Sequence, residues 1–207
     1  MAVLQSIVSS PPVVEERDAT PFFAHVTPGR LVEIVSSPES AYLTAATAVV
    51  LGAQAAGELC VWIQRQDGRL FPPDFAASGV DLNSLTVVQI PKDQRAFALL
   101  KAAEQLLRSG SFGSLIIDVE KDPLRDGGAW QARLAALARE HRARVVLLSD
   151  RPAAADSLGP MISLRVFPRH TRVAPGIFRI SFEVLRNKSG GRVTIADAVV
   201  RGPWGLS

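Results

Sequence analysis

Residues 37–44 occupy the eight positions of a G-x-x-x-x-G-K-[ST] phosphate-binding loop yet carry almost none of its chemistry. In a working loop, glycines let backbone N–H groups curl around a triphosphate, the lysine meets the outer phosphates and the hydroxyl holds Mg²⁺. Here Ser37 and Tyr42 stand at the glycine positions, Leu43 at the lysine position, and only Thr44 keeps a matching hydroxyl. A phenol ring bars close backbone approach, and a butyl side chain neutralises no charge. Pro38 and Glu39 shape the turn, and Ser40 and Ala41 lead into the helix that follows. The expectation is a hollow filled by Tyr42 and Leu43, with no nucleotide cofactor and no ATPase activity.

Asp118 closes the apolar run Ser114-Leu-Ile-Ile-Asp118, where a working site would use the carboxylate to hold Mg²⁺ through water. Without the lysine and glycines, Asp118 reads as a relic that bonds locally. His25, His141 and His170 are scattered, without cysteine or acidic neighbours at ligand spacing, so no metal site is expected. Cys60, the single cysteine, lies in Leu59-Cys-Val-Trp-Ile63 and reads as a buried core thiol. No G-x-S-x-G elbow is present, which argues against a serine hydrolase.

A second chemistry lies in the charge pattern. The net charge is +3, but residues 160–207 hold eight Lys/Arg against two Asp/Glu. Arg165, Arg169, Arg172, Arg186 and Lys188 are the candidates for contact with an acidic protein or with nucleic acid. Only 6% of residues are aromatic, which weakens a single-strand stacking platform and favours protein contact. A charged sheet edge that resists aggregation is the plainer alternative.

The elements that must position these groups follow from periodicity. Residues 31–35, 59–63, 85–90, 114–118 and 144–149 are short apolar strand signals. Between them lie helical patterns over 40–56, from Asp93 to about Gly110, and over 130–142. Alternation of this kind predicts a mainly parallel sheet sandwiched by helices. Beyond Pro160, residues 161–167, 176–185 and 192–200 read as antiparallel strands that extend the sheet. The 207 residues suit one core, divided as an arm over 1–28, a core domain over 29–200 and a tail over 201–207 that carries Trp204. No apolar run is long enough to span a bilayer, and no basic leader opens the chain, so a cytoplasmic location is expected.

The order of these motifs resembles the ATPase core of the RecA recombinases. Residues 29–40 are similar to the strand and loop that enter the family's Walker A, Gly57 to Leu85, especially Gly79-Val-Asp-Leu-Asn-Ser-Leu85, to the segment that carries its second strand and the following helix, and Leu115-Ile-Ile-Asp118 to Walker B. Arg186-Asn187-Lys188 resembles the basic hairpin that reaches the nucleotide of an adjacent recombinase subunit. Gln66 best matches the position of the water-activating glutamate, and a glutamine can orient water without accepting its proton. Among shortened RecA-like proteins the chain resembles the ImuA group, and more distantly the SulA group. The resemblance implies a non-catalytic adaptor in the SOS response to DNA damage that supports translesion synthesis, with RecA and an ImuB-type polymerase subunit as partners. Weak DNA contact and self-association are further expectations, and no membrane partner is expected. A weak ATPase, a DNA-binding RecA paralogue and a SulA-like inhibitor of cell division are the alternatives it leaves open.

Overall fold

The computed structural model describes residues 20–94, 97–120 and 128–202. Most of the arm, residues 1–19, and the Trp204 segment, residues 203–207, lie outside the described residues. In chain order the elements are α1 (Thr20–His25), β1 (Leu31–Val35), α2 (Tyr42–Ala55), β2 (Cys60–Arg65), α3 (Pro72–Ala77), a 3₁₀ turn (Leu82–Ser84), β3 (Leu85–Ile90), α4 (Phe97–Arg108), β4 (Ser114–Glu120), α5 (Ala129–Glu140), β5 (Arg144–Ser149), β6 (Ile162–Ala174), β7 (Ile177–Asn187) and β8 (Ala198–Arg201).

One sheet of eight strands runs in the order β3-β2-β4-β5-β1-β6-β7-β8. Its first six strands are parallel, and β7 and β8 continue it antiparallel. The mixed α/β architecture is that expected of a RecA-like core. Both faces of the parallel part are buried, so its strands read as continuous apolar runs; β1, for example, is buried along all five residues. Alternation still sorts side chains by face. Val32, Ile34, Trp62, Ile116, Val146 and Leu148 pack under α2, while Leu31, Val61, Leu115, Ile117, Val145 and Leu147 pack under α4 and α5.

Helix α2 buries residues around most of its circumference, which explains an alanine-rich sequence with little polar face. The cause is α1, which lies on its outer side. Phe22 and Val26 are buried with the α2 core, and Phe22 stacks on Phe182 of β7 at 4.7 Å. The segment 20–28 therefore belongs to the packed body, and the boundary drawn at residue 28 is too late. Gly52 permits this docking, since a Cβ there would meet the Phe23 ring at 2.3 Å. The C-terminal expectation also needs correction: of residues 192–200, only those from Ala198 onward pair as a strand, whereas β6 runs on to Ala174.

Candidate functional site

The strands β1, β4 and β5 end side by side at one edge of the sheet, the edge where open α/β sheets place their ligands. Ser36, Asp118 and Asp150 arrive there by chain direction alone. The loop after β1 is closed on itself. Ser36 N–H donates to Ser149 O at 2.8 Å, Ser37 N–H to Ser40 Oγ at 3.1 Å, Ser40 N–H to Ser37 O at 3.0 Å and Ala41 N–H to Pro168 O at 2.9 Å. Ser40 Oγ in turn donates to Val35 O at 2.9 Å. Amides that would face a phosphate in a working loop thus bond within the protein.

Tyr42 and Leu43 open α2 and pack, partly buried, against the core beneath it. The Tyr42 hydroxyl accepts a hydrogen bond from Arg69 Nη1 at 2.9 Å, and the guanidinium lies 5.1 Å from the ring centroid. Arg69 Nη2 donates to Asp150 Oδ1 at 2.8 Å and stands 3.9 Å from Asp118 Oδ1. Ser36 Oγ donates to the same Asp150 oxygen. Asp118, expected from the sequence to be a relic of a metal-holding carboxylate, faces a guanidinium.

Arg69 is delivered by a local device. Gln64 on β2 is buried, and its Oε1 accepts from Trp62 Nε1 at 3.1 Å and from Leu70 N–H at 3.2 Å. The turn folds over that side chain because residue 68 is glycine; a Cβ there would sit 2.4 Å from Gln64. Burial works to lower the Arg69 pKa, but the bonds to Asp150 and Tyr42 and the charge of Asp118 outweigh it, so the cation is held firmly. Burial raises the Tyr42 pKa, partly offset by Arg69. The cluster can hold a fixed positive charge between fixed acceptors.

The other expected residues fall differently. Thr44 lines a small apolar cleft with Ala45 and Ala48, facing β7 and β8. Gln66 is exposed in the turn after β2, with its N–H on Ile90 O at 3.0 Å. Arg169 and Arg172 are exposed; Arg169 donates to Glu183 at 3.1 and 2.7 Å and lies 4.4 Å over the Phe167 ring. Arg186 donates to Ser157 Oγ and to Gly159 O, and Lys188 to Pro160 O. Arg165 leaves the contact set, because it is 2% exposed and pairs with buried Glu33 at 3.2 Å. Its guanidinium also donates to the carbonyls of Pro152, Ala153 and Ala155, while Glu33 accepts the Leu158 N–H at 2.9 Å. Cys60 is buried as expected, and burial, then the Glu58 charge, pushes its thiol pKa up to about 12.

No family model matches the chain. It is 37% identical over 91 residues to Protein RecA of Mycobacterium sp. strain KMS, which is 44% of this chain and 25% of that protein. Over the same shares it is 36% identical to Protein RecA of Rhodococcus jostii and 34% identical to that of Cutibacterium acnes. The chain is related to RecA over part of its length. It spans about a quarter of the length of the curated RecA proteins it matches.

Arg69 and Asp150 escape motif reading, and one signal for them exists. Ser149-Asp150 repeats, at the end of β5, the apolar-run-then-aspartate pattern of Ile117-Asp118. Two carboxylates near one sheet edge, Asp118 within β4 and Asp150 just beyond β5, are stabilised by a cation between them.

Proposed function

We propose that this chain is a RecA-like protein that has given up nucleotide chemistry and serves as an adaptor in the DNA damage response. In this reading it supports translesion synthesis in the manner of the ImuA group, engaging RecA and an ImuB-type polymerase subunit. The observation that carries the non-catalytic half is the guanidinium of Arg69, bonded to Tyr42 and Asp150 and facing Asp118 beside the loop where a metal and its triphosphate would lie. The partner half rests on the likeness to RecA. Recombinase subunits stack head to tail, so a related subunit with no nucleotide of its own can end or interrupt a stack.

Calorimetry with Mg²⁺ and ATP tests the first half: no saturable heat is expected, and affinity at the millimolar level or better overturns it. Co-sedimentation with RecA filaments tests the second. Binding is expected, and Arg186→Glu with Lys188→Glu weakens it; absence of any RecA or ImuB association removes the adaptor role.

A further inference from the structure

The parallel strands that end beside Tyr42 begin at the opposite edge of the sheet, and three segments meet there. Gly29 N–H donates to Ala143 O at 2.8 Å, and Arg30 O accepts the Val145 N–H at 3.3 Å. The Arg30 guanidinium reaches Ser189 Oγ at 3.4 Å, in the loop that follows β7. Arg139 lies against Gly29, where a Cβ would meet its Cγ at 3.2 Å. These contacts gather Arg30, Arg139, Arg142, Lys188 and Arg192, all exposed, against one acid of the same segments, Glu140. Lys188 is engaged at Pro160 O, but Arg139, Arg142 and Arg192 form no ion pair among the described residues.

One backbone feature sets this cluster apart. α5 ends in a Schellman turn, with Ala143 N–H on Ala138 O at 2.9 Å, and the residue in the left-handed position is Arg142, at φ 53°. Glycine is favoured there, because a Cβ crowds the backbone at positive φ. Every other positive φ among the described residues belongs to a glycine. A cation that complements the helix dipole explains Arg139, in the last turn, without requiring a strained residue beyond it. Such a cost is kept where the side chain has a use.

The chemistry of the patch selects its ligand. None of the exposed large hydrophobic side chains among the described residues lies in these three segments, so the apolar anchors on which protein interfaces depend are lacking. They hold no Phe, Tyr or Trp on which an unpaired base could stack. Gly190 and Gly191, at φ 77° and 75°, have open space around them, so no side chain holds a phosphate off the loop. Asn187 fixes that loop, its side chain donating to Gly191 O at 3.1 Å and accepting the Ser189 N–H at 2.9 Å. We propose that this edge binds the phosphate backbone of duplex nucleic acid, whatever its base sequence, through Arg30, Arg139, Arg142 and Arg192. The site lies at the far edge from Tyr42, so it stands or falls apart from the reading of that loop.

The probe is a short mixed-sequence DNA duplex, labelled for fluorescence anisotropy and titrated with the full chain over a range of salt. With about four phosphates engaged, affinity falls roughly tenfold for each doubling of salt. Arg142→Gly separates use from stability: it raises the thermal midpoint by about 2 °C, yet lowers duplex affinity about fivefold and flattens the salt slope by about one. Arg30→Ala with Arg192→Ala lowers affinity further, which keeps the test decisive if the glycine variant fails to fold. Lys101→Ala, which removes the same charge from the exposed side of α4, leaves affinity unchanged. No salt-dependent binding, parental affinity in both variants, a glycine variant that folds but melts below the parent, or tighter binding of a polyglutamate peptide or of oligothymidine overturns the proposal.

Discussion

Arg69 donates to the Tyr42 hydroxyl at 2.9 Å while its guanidinium lies 5.1 Å from the same ring. Arg69 therefore bridges Tyr42, at the start of α2, and Asp150, beyond β5.

Arg69→Ala leaves Asp118 and Asp150 without the charge that separates them. A loss of about 2–3 kcal/mol in urea unfolding is expected, since stranding a desolvated charge costs more than a surface pair contributes. The double variant Arg69→Ala with Asp150→Asn recovers part of it. A single variant as stable as the parent would mean that other groups of the protein, such as Ser36 at Asp150, already compensate both carboxylates.

Tyr42 is the only tyrosine, so phenolate absorbance reports it alone. Its midpoint lies above the ordinary 10.0, chiefly through burial, and returns to the ordinary value in denaturant. The folded state thus holds its proton to higher pH than the unfolded chain does. This contribution to stability is complete below the unfolded pKa and is lost as pH rises through the folded one. Removing Arg69, which opposes the shift, raises the midpoint further. A midpoint at the ordinary value in the native protein contradicts the geometry.

Glu33 and Arg165 form an ion pair with side chains 0% and 3% exposed. Replacing either alone, as in Glu33→Gln or Arg165→Met, costs about 3–5 kcal/mol, because the abandoned partner stays buried. Replacing both with apolar residues costs much less. The double-mutant cycle gives the coupling directly, and additive losses would show that the two groups act separately.

Gly52→Ala tests the seat of α1. Helix propensity alone favours alanine by about 1 kcal/mol. The ring of Phe23, 2.3 Å from the new Cβ, should reverse that sign, with a net loss of about 1–3 kcal/mol by thermal unfolding. Adding Phe23→Ala relieves the clash, so the pair is less damaging than the sum of its parts. A stabilised single variant would place α1 elsewhere.

The parallel sheet was legible because β1, β2, β4 and β5 are apolar runs bounded by turn residues, and burial on both faces demands that pattern. The loop over residues 37–44 could be singled out in the sequence because its departures from the phosphate-loop pattern lie in eight consecutive residues. Arg69 was not, since it stands 27 positions from Tyr42 and 81 from Asp150, and no local pattern encodes such a meeting. Arg165 was misread for a different reason. Charge counted along the chain carries no depth, and a strand that buries its last parallel neighbour can hide an arginine if a carboxylate lies opposite. The clue was Glu33, an acid in the middle of Leu31–Val35. α1 was taken for arm because its anchors, Phe22 and Val26, are too few to show a period.

The stretch from Pro152 to Pro160 has no regular secondary structure, yet Arg165, Glu33, Gln131, Arg186 and Lys188 grip its backbone or its Ser157 hydroxyl from several sides. A surface so fastened has already surrendered its conformational freedom during folding. Whatever lands on it meets a finished mould, and the encounter proceeds without the ordering penalty that a slack segment would exact.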